Sequence, residues 1–301
     1  MIPVTYSYRW QNDDEAVRRA NLESLAKQGV KRLVLTCGEI ENIIHRPELL
    51  FAYKNDFAQA GLKFVDAHAP WGLFKDPGMP FKETHEAIIL RQKSAILICE
   101  QLGVTSMAYH TGNTYPSVDG IEGTFTLQDY KDTLRRAIDE LLPFAEKHGV
   151  VMALENQWTP LNQSTCILEV LEAYNSPFLG FCYDAGHAHL TECGETDPAK
   201  SCVPYFWDLM KMPVYWEKDI IGTFKKWVVN CHFHSNDGFM DQHRIPDPGN
   251  DTMPWDHIMD VLAEAPRLQS VQSEVSIPQD LSITPAMLRD AFRRISPLLD
   301  A

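Results

Sequence analysis

Short apolar runs rich in β-branched and aromatic residues recur along this chain, and amphipathic stretches of helical period separate them. The runs fall at 2–8, 32–37, 63–67, 104–109, 150–154, 178–183, 227–233 and 269–273. Between and after them lie predicted helices at 14–28, 47–60, 82–102, 127–148, 164–174, 255–263 and 284–295. Gly29, Gly61, Gly103 and Gly149 sit where helices should stop. Eight strands alternating with helices predict a parallel sheet covered by helices, and a single (β/α)8 TIM barrel is the leading architecture. A doubly wound open sheet has the same alternation but concentrates its ligands at one switch point. The length of 301 residues suits one barrel domain spanning 1–301.

The residues at the ends of the runs favour the barrel. The run at 178–183 ends in Asp184, and His187 comes three residues later in the stretch GFCYDAGH. A strand tip delivering Asp184, with a turn loosened by Gly186 bringing His187 to the same point, would pair an oxygen and a nitrogen donor suited to a divalent ion. One such pair is more often structural than metal-binding. The same order recurs, however: His68, His110, Glu155, His234 and Glu274 each come after an apolar run, and Asp241 and His243 lie in the loop after His234. In a barrel all strand ends share one face, so these nine side chains, five His and four carboxylates, would converge. Buried without partners they would be costly, and a centre holding one to three divalent ions (Zn, Mn, Mg or Co) resolves that cost.

Acidic residues outnumber basic ones, 41 to 27, giving a net charge of −14. No Lys/Arg run offers a track for a polyanion, so nucleic acid is disfavoured as a partner. The seven cysteines are scattered without a C-x-x-C pair and read as thiols of a reducing compartment. Neither a signal segment nor a membrane span is evident, so a cytoplasmic protein is expected. About 40 residues separate His187 from the next strand, more than an ordinary crossover requires. This insertion, about 191–226, is polar and turn-rich at first and aromatic-rich from 204 to 216. It could be a surface elaboration with its own small core, or a cover over the barrel mouth or a subunit contact. Trp71, Phe74 and Trp158 neighbour the candidate ligands and could stack on a sugar face or simply pack.

The motifs HAP at His68, HTGN at His110, LENQ at Glu155, DAGH at 184–187, HSND at His234, DQH at 241–243 and SEV at Glu274, in this order, resemble the xylose isomerase-like barrels. That group includes the sugar epimerases and endonuclease IV, and the resemblance runs from about His68 to the last strand. The epimerases imply Glu155, Asp184, His234 and Glu274 around one metal, His187 near the substrate, and the two glutamates as acid and base. Endonuclease IV, of the AP endonuclease family 2 type, implies three zinc ions on the full nine-residue set.

The departures weigh against DNA. Endonuclease IV has a Gly- and Ser-rich loop after its fifth-strand Glu, whereas residues 156–164 here read NQWTPLNQS, without Gly. No cluster of Arg or Lys lies near the strand-end loops, apart from Arg244 and the pair Lys225 and Lys226. The epimerases usually carry an Arg six residues after the seventh-strand His; here that position is Met240, and Arg244 could take its place. The expectation is a metal-dependent sugar isomerase or epimerase with Glu155, Glu274 and His187 in the chemistry and Trp71, Trp158 and Arg244 on a small carbohydrate substrate. A multinuclear zinc phosphodiesterase is the alternative, and a metal-stabilised binding protein without turnover is a third reading. Assembly as a homo-oligomer is compatible with each.

Overall fold

The computed structural model describes residues 1–10 and 14–301. Its first eight strands are β1 Ile2–Tyr8, β2 Arg32–Leu35, β3 Lys63–His68, β4 Ser106–Tyr109, β5 Val151–Glu155, β6 Leu179–Asp184, β7 Val228–Phe233 and β8 Ser270–Ile277. They are parallel and adjacent in chain order, and β1 pairs with both β2 and β8, which closes the barrel. A ninth strand, β9 Leu299–Asp300, adds to β1 as Ile2 pairs with Leu299. The sequence pattern does not indicate it.

The helices are α1 Glu15–Lys27, α2 Cys37–His45, α3 Glu48–Ala60, α4 His85–Leu102, α5 Leu127–His148, α6 Ser164–Tyr174, α7 Ala185–Cys193, α8 Pro204–Leu209, α9 Ile220–Phe224, α10 Trp255–Ala263 and α11 Pro285–Ile295. Gly61, Gly103 and Gly149 end α3, α4 and α5 in the left-handed conformation, and each C-cap N–H returns to a carbonyl of the last turn. The alternation of strand side chains divides the core into two. Met152, Leu154, Phe181 and Tyr183 belong to the large cluster between sheet and helices. Val151, Ala153 and Cys182, on the same strand faces as Glu155 and Asp184, form a small separate cluster with Ala108 and Val229.

Two expectations about local structure are corrected. The run at 32–37 ends as a strand at Leu35, and Cys37 opens α2, an amphipathic helix with Ile40 and Ile43 buried. The chain after Asp184 is not a loose turn but a helix. Asp184 is its N-cap, accepting from the His187 N–H at 2.6 Å, which is the usual role of an Asp at a helix start.

The insertion has a small core of Leu190, Val203 and Trp207, packed by Trp158, Met212, Val214 and Trp216. The Trp207 indole donates to the Trp158 carbonyl at 2.9 Å, which fastens α8 to the loop after β5.

Between α1 and α3, Arg18 and Asp56 form a wholly buried ion pair at 2.6 Å, with Arg19 on the other Asp56 oxygen at 2.7 Å. Removing one partner of such a pair strands a charge in the interior. Asp56→Leu should therefore lower unfolding free energy by about 3–5 kcal/mol in urea titrations. Arg18→Leu/Asp56→Leu should recover much of that loss; equal destabilisation in both variants would refute the account.

Candidate metal centre

Glu155 ends β5 and Asp184 ends β6, so the strand geometry aims two fully buried carboxylates into the barrel mouth. Their four oxygens are divided among imidazoles. Glu155 Oε2 lies 3.3 Å from His68 Nε2 and 3.5 Å from His110 Nε2. Its Oε1 lies 3.4 Å from His187 Nδ1 and 3.4 Å from His232 Nδ1. Asp184 Oδ1 is 3.2 Å from His234 Nε2, and Oδ2 is 3.7 Å from His232 Nδ1. Glu274 places Oε1 3.2 Å from His232 Nδ1 and Oε2 3.5 Å from both His234 Nε2 and His243 Nδ1.

The loop after β7 completes the group. Ser235 and Arg244 exchange both backbone hydrogen bonds at 2.8 Å, folding the loop back on its strand. Asp241 Oδ2 then lies 3.1 Å from His243 Nε2 and 3.8 Å from His187 Nε2. His243 stacks on His234 with ring centroids 4.0 Å apart. All nine side chains singled out from the sequence therefore meet at one place. Four sets of donor atoms lie within 4.8 Å of one another: His187, His234, Asp241 and His243; His68, Glu155, His232 and Glu274; Glu155, Asp184 and His187; and Asp184, His234 and Glu274.

His232 is the residue that sequence reasoning missed. Attention to residues after the strand passed over one inside it, although H-x-H at 232 and 234 puts both rings on one face of β7. Its Nδ1 is met by three carboxylates, and neither ring nitrogen has a hydrogen-bond partner.

The donor set fits a divalent cation on two counts. Both Glu155 oxygens, Asp184 Oδ2, Asp241 Oδ1, Glu274 Oε2 and His234 Nδ1 are buried without hydrogen-bond partners, which leaves them available for coordination. In addition, His68 Nδ1 donates to the Ala69 carbonyl at 2.9 Å and His187 Nδ1 to the Asn156 carbonyl at 2.9 Å. Each bond fixes a proton on Nδ1 and leaves Nε2, facing Glu155 in one case and Asp241 in the other, as the ring nitrogen a metal would take in place of a proton.

Electrostatics follow from crowding in a dry site. Burial pushes Glu155 and Asp184 up, but the surrounding imidazoles prevail and hold both carboxyls well below their ordinary values. The carboxylates in turn raise His187 and His232 against the opposing effect of burial. Burial would also lower His243, yet its bond to Asp241 and the charge of Glu274 carry it to about 9. His110 goes the other way, pushed down to about 3 by burial.

A cavity of about 420 Å³ opens onto this group. Glu155, His187, Asp241 and Glu274 line it, as do Trp71, Trp158 and, from the insertion, Phe206. Arg244 is not among the lining residues: it is exposed and turned to Asp237 at 3.7 Å. Phe74 is half-exposed and also outside the lining, packed on Phe81.

The fold and site together define a (β/α)8 barrel that concentrates imidazoles and carboxylates at the C-terminal ends of its strands. The chain belongs to the xylose isomerase-like TIM barrel family, whose profile matches residues 45–279. No curated protein matches it by sequence. Among solved structures it is similar to 3-keto-D-glucoside 4-epimerase YcjR from E. coli, with TM-score 0.66 and 10% identity over 98% of this chain and 99% of that one. D-psicose 3-epimerase from Clostridium cellulolyticum H10, solved with D-tagatose, gives TM-score 0.64 and 13% identity, covering 98% and 96%. The IolI protein with a bound zinc atom gives 0.65 and 15%, covering 98% of each chain.

A metal entering this group displaces protons from the raised imidazoles, so apparent affinity should rise with pH up to about 9, where His243 titrates. Calorimetry in buffers of different ionisation enthalpy should show proton release at pH 7; absence of release would contradict the charge assignment. Orientation of the ligands can be tested at Gly186, where a Cβ would overlap the His234 ring. Gly186→Ala should displace that ring and weaken metal binding at least about tenfold, on the scale of lost ligand orientation, while the circular dichroism spectrum stays unchanged.

Proposed function

We propose that this protein is a metal-dependent isomerase or epimerase of an uncharged sugar or sugar derivative. The observation that carries the reading is one cavity lined by two glutamates, Glu155 and Glu274, together with His187, Trp71 and Trp158. The sugar epimerases among its structural relatives support the substrate class. Glu155, Asp184, His234 and Glu274 would hold the ion, and His68, His110, Asp241 and His243 would supply further donors. When bound, the cation would contribute positive charge that polarises a carbonyl and its neighbouring hydroxyl.

The remaining chemistry belongs to the side chains. Glu155, kept ionised by its imidazoles, accepts the carbon-bound proton next to the carbonyl. The electron pair passes into the carbonyl and the substrate becomes an enediolate. Glu274, entering the cycle with a proton taken from solvent, then gives it to carbon from the opposite face for epimerisation, and Glu155 returns its proton to solvent. His187, its Nδ1 committed to Asn156, presents Nε2 to a substrate oxygen. Phe206 and the two tryptophans exclude water and offer ring faces to sugar C–H groups. Among the described residues no Lys or Arg lines the cavity, so a phosphate or carboxylate on the substrate would find no side-chain counter-charge there.

A specific observation also favours a second reading, a multinuclear zinc phosphodiesterase. Asp241, His243 and His187 form a donor group beside the one around Glu155, more than a single ion needs. Metal content of protein purified without chelator separates the two. About one ion per chain, with solvent deuterium entering a ketose at the carbon beside its carbonyl, supports the epimerase. Glu155→Gln should then reduce exchange by a factor of about 10³ or more, toward the upper part of the 10²–10⁴ typical of lost acid–base help because a donor to the ion is weakened too. Two or three zinc ions, cleavage of a phosphodiester and no exchange would overturn it.

A further inference from the structure

At the opposite end of the barrel from the metal centre lies a cleft of about 510 Å³ whose chemistry is of the reverse sign. Its lining includes Lys27, Lys31, Arg32, Arg289 and Arg293, five cationic side chains, against one carboxylate side chain, Asp300. The contrast is sharp on a chain with net charge −14. Four elements build it: the end of α1 with the turn into β2, the outward face of β1, successive turns of α11 that present Arg289 and Arg293 four residues apart, and β9 with the residue after it, which bring Asp300 and Ala301.

The cations are not consumed by the fold. Arg32 spends its Nε on the Val4 carbonyl at 3.0 Å and an Nη on Asp300 at 2.8 Å. Arg289 spends one Nη on the Gln28 carbonyl at 3.0 Å, a neutral acceptor. Lys27 is exposed and reaches Glu23 only at 3.7 Å. Among the described residues Lys31 and Arg293 have no ion-pair partner. Tyr6, only 3% exposed, also lines the cleft, and its hydroxyl is buried without a hydrogen-bond partner. Burial keeps this phenol protonated, pushed up to about 12 despite Arg289, Arg32 and Arg293 nearby. A buried O–H donor without an acceptor is costly unless something supplies one.

We propose that this cleft is a binding site for the phosphate group of a small soluble molecule, held by Lys31, Arg32, Arg289 and Arg293 around the Tyr6 hydroxyl. Guanidinium forks match phosphate oxygens in pairs, lysine adds a point charge, and the phenol donates to an oxygen that nothing else satisfies. The acidic remainder of the surface repels an extended polyanion and favours a small ligand. The site has no acid–base carboxylate pair of its own, so its ligand is an effector or stabiliser rather than a substrate. β1 joins the two ends, with Tyr6 at the cleft and Ser7, one residue on, lining the cavity over the metal centre.

Titration calorimetry on the intact protein with its metal retained, using inorganic phosphate and then glucose 6-phosphate, tests this site independently of any sugar chemistry. The expected result is saturable binding that Lys31→Ser/Arg293→Ser weakens at least about tenfold, the loss expected when charge-assisted contacts are removed. Tyr6→Phe should weaken it several-fold. Lys31 and Arg293 are exposed, so the melting temperature of the double variant should not change. Absence of saturable binding would overturn the proposal. So would binding of equal strength in wild type and double variant, since that would put the anion at the metal centre.

Discussion

Glu155 and Asp184 are fully buried carboxylates, and most of the architecture around the barrel mouth can be understood as the means of keeping them ionised. A bare carboxylate at such depth would neutralise itself by taking up a proton. Here each oxygen faces one or more ring nitrogens drawn from β3, β7 and the segments after β4 and β6. The arrangement is mutual for His187 and His232, which the carboxylates raise against the opposing effect of burial. Such a network is sensitive to single losses, since removing any member strands its neighbours. A bound cation would satisfy the same oxygens more fully, and the stability of the mouth would then follow its occupancy.

How much of this was legible in the sequence depends on whether the controlling interaction was local. Most strand ends could be read because a buried parallel strand is a nearly unbroken apolar run, and a His, Asp or Glu closes it; β8 is the exception, running on past Glu274 to Ile277. Helix ends could be read at Gly61, Gly103 and Gly149, where one residue supplies the required backbone. Convergence of Asp241 and His243 could be suspected from the motif but depended on a loop whose return is fixed by the Ser235–Arg244 bridge. His232 was hidden because an apolar run containing one His reads as a strand with a satisfied core residue. The helix after Asp184 was hidden because Gly186 suggests a turn; its glycine answers to a ring on a neighbouring strand instead. Arg244 looked available for substrate by its position in the chain, yet the fold-back that brings in His243 turns the next side chain outward.

The insertion has a core of its own and also sends one side chain to the cavity. Trp207 and its neighbours form a core that is local to the segment, while Phe206, one residue earlier on the same short helix, lines the cavity. Consecutive residues on a helix point about 100° apart, so one turn can be anchored on one side and exposed to ligand on the other. The bond from Trp207 to Trp158 fixes this placement to the β5 loop, next to Glu155.

The pairing of β1 with β8, and of Ile2 with Leu299, has a consequence for the order of assembly. The staves of this barrel are laid down one at a time, but the hoop is fastened by contacts separated by nearly the whole chain. Such contacts close the largest loops in the chain and carry the greatest closure entropy, which favours their forming last. Glu274 arrives on that last stave. A half-made barrel already presents His68, His110, Glu155 and Asp184, and only closure brings the carboxylate opposite them. Completion of the centre thus reports that the circle has been closed, and a chain halted before its eighth strand carries an arc of ligands with no far side.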